Sequence, residues 1–192
     1  MRLSVVLMIA VFGYSSSSIS HAAAADSGFR VFVSNERSNT VSVIDGSTGA
    51  VVKTFPVGKR PRGIHLSPDN QTLFVATSGS PRMGPGADPE RAKSEAPDKS
   101  ADGIMIIDLT GAASPRQLHV GSDPEEFALT SDGKTIIVTN EDTGMASFWE
   151  IASGKPVAQA QLSAEPEGVA IHPIRAEVYV TRSEERRVGK EC

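Results

Sequence analysis

The chain has 192 residues, enough for about one domain. Its formal net charge of -4 gives no general attraction to nucleic acid or to anionic lipid. The single cysteine, Cys192, excludes an internal disulfide, and 17 Gly with 12 Pro favour a turn-rich, all-β chain over a helical one.

In chain order, Arg2 precedes an apolar run over residues 3–14, a serine run over 15–18 and small residues at 22–25. That order describes a secretory signal. The apolar run is shorter than the roughly 20 residues a membrane-spanning helix needs. Residues 1–25 are therefore assigned to a signal peptide, and no membrane span is expected after cleavage. The mature chain would begin near Asp26 and be periplasmic or secreted.

From residue 30 onward the chain repeats. Pro61, Pro124 and Pro166 fall in register, as do Leu66, Leu129 and Ile171. Each is followed by a short strand-like run, at Thr72–Thr77, Thr135–Asn140 and 177–182, and Arg30–Asn35 is a fourth copy. The distance from Pro124 to Pro166 is 42 residues, as is that from Val33 to Val75. From Pro61 to Pro124 it is 63, one repeat plus 21 residues, which locates an insertion loop at 79–101.

A period near 42 with four short strands per unit describes a β-propeller blade. In one full unit the predicted strands are A (63–66), B (73–77), C (104–108) and D (117–120). Valines at 31, 33, 41 and 43 alternate as strands packed between blades require. The blades should occupy 26–182. They comprise B, C and D of one blade, two complete blades, and A and B of another. The fold class is thus all-β, a truncated propeller arc of about four blades. The insertion, rich in proline and charge, is expected to be a mobile loop. Residues 183–192 lack strand alternation and read as a non-propeller tail, a sequence scar or truncation end rather than blade.

The runs Val33-Ser34-Asn35 and Val138-Thr139-Asn140 are each followed ten residues later by an acidic strand end. They resemble the YVTN family of β-propeller repeats. Asn39 to Asp45, Arg60-Pro-Arg-Gly-Ile, Asp123-Pro-Glu-Glu-Phe-Ala-Leu and Glu165-Pro-Glu-Gly-Val are similar to one subgroup, the propellers associated with pyrroloquinoline-quinone-dependent catabolism. The resemblance covers residues 29–181. It implies a periplasmic propeller encoded beside quinoprotein alcohol dehydrogenases and their cytochromes. It supplies no activity and no catalytic residues.

In a propeller the D–A and B–C loops share one face. Arg60 and Arg62 map there, with Asp123, Glu125, Glu126, Glu165 and Glu167 in the following repeats. Asn35, Glu36, Asn140, Glu141 and Asp142 come from the B–C loops. The set predicts a basic sector beside an acidic one around the channel mouth, suited to a protein partner. Taken singly, each residue also reads as a solvated turn position.

His65, His119 and His172 lack metal-ligand spacing, and no motif calls for a cofactor. His65 occupies the inner-strand slot that Ala128 and Ala170 fill elsewhere, as a packed histidine or a channel-lining one. Trp149 reads as core. No nucleophile elbow or phosphate loop is present.

The reading is a binding or accessory module rather than an enzyme, linked to quinoprotein alcohol oxidation, its partner a periplasmic dehydrogenase or cytochrome. The alternatives are a lactonase-like hydrolase, which needs an acid–base cluster or metal at the channel, and a cell-surface scaffold or adhesion module. An open arc leaves sheet edges unpaired. The 192-residue chain is therefore expected to express poorly as a soluble monomer. Size-exclusion chromatography and a thermal melt test this, and a sharp monomeric peak with a cooperative transition would contradict it.

Overall fold

The computed structural model describes residues 28–82, 90, 95–162 and 165–183. The assigned signal peptide, part of the insertion and tail residues 184–192 lie outside the described residues.

Four antiparallel sheets follow one another along the chain. The first holds β1 (Arg30–Asn35), β2 (Thr40–Asp45) and β3 (Val51–Pro56). The second holds β4 (Pro61–Leu66), β5 (Thr72–Thr77), β6 (Gly103–Asp108) and β7 (Arg116–Leu118). The third holds β8 (Pro124–Leu129), β9 (Thr135–Asn140), β10 (Met145–Glu150) and β11 (Pro156–Gln161). The last pairs β12 (Glu165–Ile171) with β13 (Val178–Ser183). The fold is an all-β propeller arc with three, four, four and two strands in its successive blades, as the repeat count requires. One 3-10 turn, Lys99–Ala101, is the exception to strand and loop among the described elements.

Three boundaries move. The inner strands begin earlier than the repeat pattern suggests, at Pro61 and Pro124 rather than two residues later. β7 stops at Leu118, leaving Val120 as a fully buried loop residue. β13 includes Ser183, opposite Glu165, so the last blade takes in the first residue assigned to the tail.

The early inner-strand start has a cause repeated in three blades. Register breaks between Pro61 and Ile64, between Pro124 and Phe127, and between Pro166 and Val169. Proline lacks the N–H that a ladder would use, so it suits the head of a strand. The two residues after it form a β-bulge, which re-aims their side chains. Hydroxyls on the second strand hold the bulge. Glu126 N–H donates to Thr139 Oγ1 at 3.1 Å, and Gly168 N–H donates to Thr181 Oγ1 at 2.8 Å. The same row ties blade to blade. Ser34 Oγ donates to the Arg62 carbonyl at 2.7 Å, and Thr139 Oγ1 reaches the Glu167 carbonyl at 3.0 Å.

The cores lie between blades. Val41, Val57, Leu73, Val75 and Ile107 join the first blade to the second. Phe74, Ile104, Leu118, Val120, Phe127, Ile136 and Val138 join the second to the third, with Trp149 packed against them. Full burial of each such side chain contributes about 1.5–3 kcal/mol. β12 packs across β8 and β9.

Carboxylates pin the outer turns. Asp45 accepts from the hydroxyls and the backbone N–H groups of Ser47 and Thr48. These bonds, led by the Ser47 hydroxyl, hold its carboxyl at about 2. The hydroxyls of Ser67, Thr110 and Thr130 lower Asp69, Asp108 and Asp132 in the same way. A carboxyl depressed in the folded state adds stability above its unfolded value and loses it as pH falls through the folded one. Urea unfolding of the full-length protein should therefore show stability falling from about pH 4 down to about 2, Asp45's folded value. Asp45→Asn should flatten part of that slope.

Candidate functional site

The bulges put the charged side chains of the repeat at the inner edge of the arc. Arg62 and Gly63 form the first bulge, Glu125 and Glu126 the second, Glu167 and Gly168 the third. Arg62, Glu125, Glu126, Glu165 and Glu167 therefore stand at the starts of β4, β8 and β12, and not in the D–A loops assigned to them from the sequence. Arg60 and Asp123 precede the first two bulge prolines with φ of 42° and 47°. Non-glycine residues pay about 1–3 kcal/mol in such sparsely populated regions. Side chains from the preceding blade capture both backbones. Arg60 N–H donates to Asn39 Oδ1 at 3.0 Å, and Asp123 N–H donates to Asp102 Oδ2 at 3.1 Å.

The arginines do not form a separate basic sector. Arg60 Nε donates to Glu36 Oε1 at 2.8 Å, and its Nη1 lies 3.4 Å from Asp123 Oδ1. Arg62 Nη1 pairs with Glu141 Oε2 at 2.8 Å and Asp123 Oδ1 at 3.3 Å, and Arg62 also pairs with Glu125. Their side chains are only 15% and 13% exposed. The guanidinium groups are consumed at the seams, so the two arginines do not stand as a free basic sector.

Asp123 is the junction. Burial raises its carboxyl above the ordinary range, against the pull of the Ser78 hydroxyl, Arg62 and Arg60. Ser78 Oγ donates to it, which ties the residue just before the insertion to the same point. The insertion's other end is also pinned. Lys99 Nζ pairs with Asp142 and donates to Ser122 Oγ at 2.8 Å, while Asp102 Oδ1 accepts from Gly79 N–H at 2.7 Å. Burial opposes charge on Asp142, but the bonds from Lys99 and Ser122 outweigh it and lower its carboxyl. Where described, the ends of the expected mobile loop are thus anchored to the third blade.

Asn140 is buried, with Nδ2 donating to the Val120 carbonyl at 3.1 Å and Oδ1 accepting from Ser147 Oγ at 2.7 Å. Its counterpart Asn35 bonds Thr40 and Ser42. Asn35 braces its own blade, whereas Asn140 also ties its blade to the segment that leads in from the second. Asn39, Ser78 and Asp102 are part of the network and were missed from the sequence. Ser78 was findable, because it aligns with Glu36 and Glu141 in the repeat.

Between β4, β8 and β12 lies a cleft of about 860 Å³, lined among others by Arg62, His65, Glu125, Glu126, Glu167 and Thr181. His65 Nε2–H donates to Glu126 Oε1 at 2.9 Å, and the ring stands edge-on to Phe127 with centroids 4.9 Å apart. His119 and His172 bond backbone groups elsewhere, at the Asp102 carbonyl and at the N–H groups of Ile174 and Arg175. Among the described residues no group of three or more His, Cys, Asp or Glu is arranged to hold a metal ion.

No protein-family model and no curated protein matches the chain. Solved structures do. Hydrazine synthase of Kuenenia stuttgartiensis is 27% identical over 73% of this chain and 36% of its own, with a TM-score of 0.52. Dihydro-heme d1 dehydrogenase NirN, in complex with DHE, is 16% identical over 82% of this chain and 30% of its own, with a TM-score of 0.55. A Bacteroides fragilis protein named as a candidate 6-phosphogluconolactonase is 20% identical over 68% and 35%, at 0.47, an overlap too loose to bear on function. The chain spans about a third of the length of the structures it resembles. The likeness is one of propeller fold.

Removing one partner of a buried ion pair strands the other. Arg62→Gln should therefore destabilise the full-length protein by about 3 kcal/mol, read as a lower urea midpoint. Arg62→Lys should recover only part of this, because an ammonium cannot serve several carboxylates as a guanidinium fork does.

Proposed function

We propose that this chain is the arc of a periplasmic binding or accessory propeller whose channel-mouth face docks a protein partner bearing a basic patch. One observation carries the reading: the charged groups of that face are locked to one another across three blades before any partner arrives. A fixed arrangement lowers the ordering cost of association. Glu36, Glu125, Glu126, Glu141, Glu165 and Glu167 outnumber Arg60 and Arg62, and exposed Lys59 and Lys99 are paired with Asp98 and Asp142, so the complementary surface is basic.

The setting follows from the repeat's resemblance to the propellers of pyrroloquinoline-quinone-dependent catabolism. The partner is then the dehydrogenase or cytochrome of a quinoprotein alcohol oxidation system. The N-terminal signal pattern supports export to the same compartment.

Calorimetry of the full-length protein against the purified dehydrogenase and cytochrome encoded beside it tests both parts. Binding to one of them should weaken as salt rises. The Glu165→Lys/Glu167→Lys pair should lower affinity at least tenfold. Affinity indifferent to salt and to charge reversal rejects the face, and unchanged growth on alcohols after gene deletion rejects the setting.

A further inference from the structure

We propose that β11, the outer strand of the third blade, pairs edge to edge with β11 of a second copy of this chain. This surface is at the opposite end of its sheet from the inner strand β8, so the proposal does not depend on the docking reading. Each of the first three blades ends in an outer strand, β3, β7 or β11, that is paired on one side only. The other side offers a row of N–H and C=O groups to any extended chain that reaches it. Two of these edges are guarded. β3 carries exposed Lys53 within it and Pro56 at its end. β7 is cut to three residues behind Pro115, with Arg116 exposed. Its polar side chains are also committed, Arg116 to the Ile151 carbonyl and Gln117 to the Ala101 carbonyl, each at 3.0 Å.

β11 has none of these guards. Every residue of Pro156–Gln161 is exposed, and no charge occurs from residue 156 to residue 164. Its one proline heads the strand, where the missing N–H costs least. Charge and symmetry select the occupant. Like charges directly opposite each other destabilise an antiparallel pair. A two-fold axis through β3 would bring Lys53 up to Lys53 of the second copy, whereas one through β11 opposes no charge to itself. Centred on Gln159, the pairing leaves Pro156 outside. It sets Val157 opposite Gln161, Ala158 opposite Ala160, and Gln159 opposite Gln159 of the second copy. A carboxamide carries both donor and acceptor, so it can bond its own kind. The Gln159 side chain is available for this, since it makes no hydrogen bond among the described residues.

The contact joins the third blades of two copies into one continuous sheet, four strands from each. It is isologous, so association through this edge stops at the dimer. Because it uses the rim, the inner strands of both copies stay uncovered. The dimer therefore presents two copies of the inner edge on one particle, as a bivalent binder does.

Analytical ultracentrifugation of the full-length protein should show a monomer–dimer equilibrium that shifts with concentration. Gln159→Lys sets two ammonium groups face to face and should weaken the dimer at least tenfold. The side chain is exposed, so circular dichroism should be unchanged. Cross-linking reads the register in a Cys192→Ser background. Directly opposed Cα atoms of an antiparallel pair stand about 4.5–5.5 Å apart, within the span of a disulfide. Gln159→Cys should therefore give a disulfide-linked dimer on mild oxidation, and Val157→Cys, which faces residue 161 of the second copy, should not. A monomer at every concentration, association that Gln159→Lys leaves unchanged, or equal cross-linking from positions 157 and 159 overturns the proposal.

Discussion

The proline-led bulge at the head of each inner strand is the constraint on which the rest of this molecule depends. It withdraws one N–H from the ladder and inserts extra chain at the narrowest part of the blade. The hydroxyl row then secures it. Thr139 serves the Glu126 N–H of its own blade and the Glu167 carbonyl of the next. A strand without the bulge would keep strict alternation and send half of these side chains into the packed seams. With it, Arg62, Glu125, Glu126 and Glu167 all reach the inner edge or its rim, and the apolar seam residues remain buried.

The electrostatics follow from that placement. Buried charges are tolerable when paired, and costly when one member is lost. Two solutions stand at aligned positions. Glu36 accepts from Arg60 at one seam, and Ser78 donates to Asp123 at the next. The acid has changed sides, and the facing residue has changed from acceptor to donor with it. Such a reciprocal exchange keeps each seam satisfied. It also explains why non-glycine residues are kept in left-handed backbone at 60 and 123, where Asn39 and Asp102 hold the N–H groups in place.

Period, blade count, insertion and strand identity were legible in the sequence, because hydrophobic alternation and the recurring proline report local geometry directly. The strand heads were not. A bulge hides its paired residues among loop-like ones, so Arg62 and Glu126 read as turn positions. The pairing of charges was also hidden, since a basic and an acidic group 63 residues apart, as Arg60 and Asp123 are, show no contact in one dimension. His65 was visible as a departure from Ala128 and Ala170. What could not be seen was that Glu126, which replaces the glycine of the other repeats, reaches across the seam to meet it.

The Gly63–Glu126 contact couples one blade to the next. Glu126 leans back onto the preceding blade, and a Cβ at residue 63 would force its carboxylate aside. The order Gly63, Glu126, Gly168 places a small residue on the blade that receives the long one. A substitution at 63 would therefore be felt across the seam, at the carboxylate that His65 bonds.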